Sequence, residues 1–243
     1  MLAIDEFDSV NIGLKVGKFI SKSGDIDVEK IDAESKENRF DIVTVISQGT
    51  RLNLKHLYEA GFKFLGSKAI YVTKEFNPKE GKQCDLSNIF FSSFTPPNDQ
   101  LNDYKEDLHR LGQIVGEKSR YFFDTDHPEA WKTVYHTWID NLLNGRSDNM
   151  ILAIDAATGC AVGFISLIEK EDTLLIDLVA VDPNHANHGI GSALTRQALQ
   201  IAHEKNMKKV EVVTESDNIP AQRVYQKAGF IINDSVNIFY KKY

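Results

Sequence analysis

The sequence predicts an α/β protein of the α+β kind, and three observations lead there. Short apolar, β-branched runs between residues 150 and 181 are separated by turn residues, the pattern of hairpins. From Ile190 the apolar spacing changes from two to helical, with Ile190, Ala193, Leu194, Ala198 and Ile201 on one stripe. Pro96-Pro97 then supplies a break, because neither residue can continue a helix or a central strand and the residues after them are polar. This divides the chain into 1–97, a small α/β domain, and a larger domain at 103–243.

In the first part, 41–46 (DIVTVI) reads as a buried strand. A short helix over 52–61 follows, with Leu54, Leu57 and Tyr58 on one face and Gly61 as its cap, and 62–73 returns as strand. After the prolines a long helix is expected over 103–115. Strands are expected at 150–154, 161–169 and 174–181, the last ended by Asp182-Pro183. The helix from Ile190 runs to about Asn206. A strand at 209–215, a short helix over 221–228 closed by Gly229, and two final strands, from Phe230 and over 236–240, complete the order.

Composition narrows the function. A net charge of −7 argues against a nucleic-acid partner, which needs a basic face to displace counterions. Two cysteines, Cys84 and Cys160, without pairing or ligand spacing, suit a reducing compartment. The acidic start lacks the order of a secretory signal, and no apolar run approaches the ~18 residues that span a bilayer. A cytoplasmic protein with no membrane partner is expected. His185-x-x-His188 lacks a third ligand, so no metal is expected.

The chemistry concentrates in the turn His188-Gly189-Ile190-Gly191-Ser192. Two glycines let backbone N–H groups converge at a helix start, where the dipole adds positive potential suited to a pyrophosphate. By itself G-x-G also describes a plain strand-to-helix turn. A dinucleotide-binding turn is disfavoured, because its third glycine falls on Leu194 and the preceding strands read as antiparallel partners.

The wider block, Val179-Ala180-Val181-Asp182-Pro183, five residues, then Gly189-Ile190-Gly191-Ser192-Ala193-Leu194, resembles the acetyl-CoA-binding motif of the GCN5-related N-acetyltransferase (GNAT) superfamily. Asn218-Ile219-Pro220-Ala221 with Tyr225-Gln226-Lys227-Ala228-Gly229-Phe230 resembles the same family's downstream motif. The resemblance implies a GNAT fold with a mixed, mainly antiparallel central sheet after the small N-terminal domain. It implies acetyl-CoA as co-substrate and a primary amine as acceptor. Main-chain groups of Val179 and Val181 would hold the pantetheine arm, backbone donors at 188–193 the phosphates, and Asn218 an amide or phosphate of the arm. Tyr225 would protonate the leaving thiolate, and Glu169 is the candidate base. Where the family usually has Arg or Gln this chain has Ala186, and Asn187 and His188 replace a Gly and a basic residue, so one side-chain contact to the phosphates is missing.

Phe7 to Lys18, the step Leu57-Tyr58-Glu59-Ala60-Gly61-Phe62, Ser119-Arg120-Tyr121-Phe122 and Tyr135-His136-Thr137-Trp138-Ile139 resemble the two-domain dTDP-fucosamine acetyltransferase type within that superfamily. This implies the 4-amino group of a dTDP-linked sugar as acceptor, Arg120 and Tyr135 on the substrate side, and room for a homodimer. Two other readings stay open: transfer to another amine, such as a protein N-terminus or a metabolite, and a non-catalytic acyl-CoA-binding module.

Overall fold

A computed structural model describes residues 1–48, 54–76, 86–121 and 127–243. In chain order the elements are β1 (Ala3–Ile4), α1 (Glu6–Ile12), β2 (Val16–Ser21), α2 (Val28–Glu37), β3 (Ile42–Gln48), α3 (Leu54–Glu59) and β4 (Lys63–Thr73). Then come β5 (Ile89–Phe94), α4 (Lys105–Gly116), α5 (Ala130–Asn141), β6 (Asn149–Asp155), β7 (Ala161–Lys170) and β8 (Thr173–Val181). The chain continues through α6 (Ile190–Glu204), β9 (Lys209–Glu215), α7 (Ile219–Lys227) and β10 (Ile231–Lys242). Leu52, Cys84 and Phe122 lie outside the described residues.

All ten strands belong to one sheet, in the order β1-β2-β3-β10-β4-β9-β8-β7-β6-β5. Two neighbouring pairs, β2–β3 and β8–β9, are parallel and the others antiparallel. The sheet is therefore mixed and mainly antiparallel, as the sequence implied. Pro96-Pro97 separates β5 from the turn leading into α4, but strands from both sides of it share the sheet. β10 lies between β3 and β4, and β4 lies between β10 and β9.

Three expectations change. The two final strands are one, because a bulge between Ile232 and Asp234 absorbs Asn233 without breaking the ladder to β4. On α3 only Leu57 is buried; Leu54 and Tyr58 face solvent, since a helix this short has one contact with the core. The helix α6 links β8 to a parallel β9, so a strand–helix–strand crossover does follow the phosphate-type turn. The missing third glycine still separates it from a dinucleotide turn.

Helices α4 and α5 cover one face over Phe164, Leu178 and Ala180, while α6 and α7 cover the other over Ile165, Leu174 and Ile176. The pair α4–α5 approaches closely because Gly112 and Gly116 carry no side chain. A Cβ on Gly112 would stand 2.8 Å from Ile139, and one on Gly116 2.8 Å from Trp131.

Ion pairs tie early and late segments together. Lys241 on β10 and Lys36 both hold Asp32 of α2. Burial alone would raise the Asp32 carboxyl, but these hydrogen bonds outweigh it and bring it down to about 2. A carboxyl depressed in this way gives stability that is complete above its unfolded value, about 3.9, and is lost as pH falls through about 2. Asp32→Asn is expected to lower the unfolding free energy by about 1–2 kcal/mol at pH 7. In urea titrations that deficit should shrink between pH 4 and pH 2; a deficit unchanged over this range would exclude the ion pairs as its source.

Candidate active site

The site begins with a fault in β8. Ser166 pairs with Leu178 but Leu167 pairs with Ile176, so Asp177 is an extra residue in the strand. One inserted residue reverses which side chains face which side. Before it Leu174 and Ile176 join the core under α6; after it Val179 and Val181 do so, and Leu178 and Ala180 turn to α4 and α5. The parallel ladder to β9 runs from Thr173↔Lys209 to Ile176↔Val212 and stops there. Beyond it β8 pairs with β7 and β9 with β4, so the two strands part. The free edge of β8 from Leu178 to Val181 then borders a cavity of about 180 Å³.

Asp177 is held in place. It accepts hydrogen bonds from Trp138 Nε1 at 2.8 Å and Arg146 at 3.3 Å, and Arg146 lies over the Trp138 ring. Trp138 in turn stacks on Tyr135 at 5.6 Å. Tyr135 is buried against the cavity, where desolvation pushes its hydroxyl up to about 12 despite a hydrogen bond with Ser119.

Tyr225 stands on the opposite wall. It is buried, and its ring packs against Tyr71 of β4 at 5.9 Å and Phe230 at 5.8 Å. The Tyr71 hydroxyl donates to Gln222 at 3.0 Å, which fixes α7 against the sheet. Among the described residues the Tyr225 hydroxyl has no hydrogen-bond partner. Burial drives its pKa far above the ordinary tyrosine value, so it stays protonated and able to donate. Asn218 caps α7 by accepting from Ala221 N–H, donates to Thr214, and also borders the cavity.

The glycine turn lies just past the cavity's end at Val181. Asn187 (φ 65°) and Gly189 (φ 90°) take left-handed backbone conformations, and no side chain caps the start of α6. The N–H groups of the first helical turn, at Ile190, Gly191 and Ser192, therefore have no intrahelical acceptor. His188 is exposed on the rim, and Ser192 is half-buried. Ala193 turns inward, its N–H bonded to Gly189 O. A Cβ on Gly191 would meet Val181 at 3.7 Å, an ordinary contact.

Not every sequence-expected residue joins this group. Glu169 is ion-paired with Lys205 at the far end of the β7–β8 hairpin and does not border the cavity. Arg120 is buried, donating to Asp8 at 2.9 Å and to the Tyr121 hydroxyl, which itself donates to Asp8 at 2.6 Å. That cluster joins α1 to the segment after α4. His185 bonds Asp155 in the β6–β7 turn, not His188. Cavity residues the sequence reading missed are Asp177, Glu215 and Lys68, the last two ion-paired at 3.0 Å. The signal for Asp177 was present, as the single charge in the run TLLIDLVAV.

Residues 111–230 match the acetyltransferase (GNAT) family, and the chain belongs to that family. Among curated proteins it is similar to the spore coat polysaccharide biosynthesis protein SpsD of Bacillus subtilis, 27% identical over 60% of this chain and 51% of the relative. It is similar to dTDP-fucosamine acetyltransferase of Escherichia coli, 27% identical over 55% and 58% of the two chains. A mycothiol acetyltransferase of Clavibacter sepedonicus is 30% identical over 62% and 45%. The chain thus spans about half the length of the curated relatives it matches. The fold is shared with a functionally unknown conserved protein of Staphylococcus epidermidis (TM-score 0.63, 15% identity, 94% of this chain and 84% of that one). It is shared also with a tandem GNAT protein from the clavulanic acid biosynthesis pathway (TM-score 0.59, 14% identity, 86% and 66%).

Gly191→Val places a branched side chain beside the free N–H groups while leaving the packing on Val181 within normal contact. Calorimetric titration is expected to show acetyl-CoA binding to the parent protein and none to this variant, with far-ultraviolet circular dichroism unchanged. Equal affinity in the two would remove the turn from the phosphate site.

Proposed function

We propose that this protein is an acetyl-CoA-dependent N-acetyltransferase that acts by direct attack of a primary amine on the thioester. The observation that carries the proposal is a cleft bounded by the free edge of β8 and by a buried tyrosine whose hydroxyl has no hydrogen-bond partner among the described residues. The uncapped start of α6 lies just past its end at Val181. In this reading the N–H groups of residues 188–192 hold the phosphates, the Ala193 N–H being taken by Gly189 O; the main chain of Val179 and Val181 and the Asn218 side chain hold the pantetheine arm, and Tyr225 faces the sulfur.

The amine must lose a proton as it attacks, and the departing sulfur must gain one. Tyr225 gives its proton to the sulfur. Glu215 takes the amine's proton, directly or through water, since it borders the cavity and Glu169 does not. Its ion pair with Lys68 of β4, at 3.0 Å, holds it at the cavity. Arg120 acts as a positioning residue between α1 and the cleft wall, with Asp8 and Tyr121 as its partners.

For the acceptor we propose the 4-amino group of a dTDP-linked amino sugar. Lys118 and Ser119 border both the cavity and an adjoining hollow lined by Phe64 to Ser67, Arg120 and the 215–217 turn with its two carboxylates, and Lys118 makes no ion pair among the described residues. A free ammonium there suits the diphosphate of a nucleotide sugar. The same protein class as the E. coli relative is consistent with this choice. The second reading, another small amine, is favoured by Asp177 and Glu215 on the same wall, which suit a cationic acceptor, and by the likeness to mycothiol acetyltransferases.

A coenzyme A release assay over amino-sugar nucleotides and simple amines separates these readings. Turnover confined to the 4-amino sugar nucleotides is expected; turnover on cationic amines alone would select the second reading, and acetyl-CoA binding with no turnover a binding module. Tyr225→Phe should lower kcat ~10-fold or more, and Glu215→Gln ~100-fold. Full activity in either variant removes that residue from proton transfer.

A further inference from the structure

On the outer surface of the α4–α5 pair, three side chains from two helices converge. His109 Nε2 lies 3.0 Å from Asp140 Oδ1, and His136 Nε2 lies 3.6 Å from Asp140 Oδ2. The two imidazole rings stack with centroids 3.8 Å apart, and all three ligand atoms lie within 4.8 Å of one another. His136 and Asp140 are one helical turn apart on α5, and His109 faces them from α4.

We propose that this cluster is a binding site for a divalent transition cation of the zinc or nickel type. Zinc–nitrogen and zinc–oxygen bonds are about 2.0–2.2 Å, so two ligand atoms on one tetrahedral ion stand about 3.3 Å apart. The His109 and His136 nitrogens stand 3.0 Å from Oδ1 and 3.6 Å from Oδ2 of the one Asp140 carboxylate, on either side of that figure. At 3.6 Å His136 is beyond a normal hydrogen bond with Asp140, so the gap between these atoms is not accounted for by hydrogen bonding. Two imidazoles and one carboxylate, with a fourth position open to solvent, make a donor set that transition metals prefer over magnesium or calcium.

The helices that present these groups are fixed before any ion arrives. Gly112, three residues after His109, lets α4 sit against Ile139 of α5, next to Asp140. Lys105 Nζ occupies Asp140 Oδ1 at 2.8 Å, and its side chain is nearly half exposed, so it can swing into solvent and leave its place to the cation. The site is unrelated to the cleft's own groups. Yet α4 and α5 carry Ile114, Val115, Tyr135 and Trp138 into the cleft wall, so the ion would cross-link the two helices that form that wall.

The test is thermal unfolding of the full chain, purified without a histidine tag and stripped with chelator, in the presence of Zn²⁺, Ni²⁺ or Mg²⁺. With zinc at ~100 times its Kd, Tm should rise by about 5 °C or more. Mg²⁺ should leave it unchanged. His136→Ala removes a half-exposed ligand whose ring contact is with His109, and it should abolish the zinc shift while leaving Tm without metal close to that of the parent. An absent shift in the parent protein, or an equal shift in His136→Ala, overturns the proposal. So does an equal shift with Mg²⁺.

Discussion

Asp177 is the one residue by which β8 exceeds β7 over the stretch in which they pair, and both walls of the cleft depend on where that excess falls. A strand in register with both neighbours would have continued its ladder to the end of β9, leaving no gap between them. The extra residue instead reverses the facing of the last four side chains and turns the strand away from β9. An inserted residue persists only where something rewards it. Here the Asp177 carboxylate is fixed by Trp138 and Arg146, which ties the break in the sheet to the helical layer above. The backbone edge that opens is polar and borders a cavity, which is why it can lie unpaired in the middle of a ten-stranded sheet.

The N-terminal part is woven into this arrangement. β4 supplies the partner that β9 needs once it leaves β8, and it brings Tyr71 under Tyr225 and Lys68 to Glu215. This side of the cleft is thus built by residues more than a hundred positions from the glycine turn. Arg120 repeats the theme on the other side of α5, where its buried charge is balanced by Asp8 of α1. Buried ion pairs of this kind are poor sources of net stability but strong determinants of which surfaces meet.

How far the sequence could be read follows from these distances. The glycine turn, the helix α6 and the hairpins β6–β8 were legible because each depends on spacing within about twenty residues. Tyr225 and Asn218 were legible through the second motif, and the cavity contains both. Glu169 illustrates the opposite case. An acidic residue near a strand end looks like a base until the pairing shows that it faces Lys205 and not the cleft. Glu215 was hidden because its place at the cavity depends on Lys68 of β4, and β4 reaches β9 only through the sheet order. The helices α1, α2 and α5 went unassigned, and with them the histidine cluster, whose ligands come from two helices with no shared motif.

The position of β10 has a consequence for the timing of synthesis. Its neighbours, β3 and β4, both leave the ribosome well over a hundred residues before it. At common elongation rates of 5–20 residues per second, the gap between them stays open for on the order of ten seconds. During that interval each presents a strand edge with unpaired main-chain groups, a template for pairing with another chain. The newborn protein therefore passes through a period in which its most non-local contacts are its most exposed. Chaperone capture of nascent chains, or growth temperature, would then weigh on yield more heavily than the stability of the finished fold.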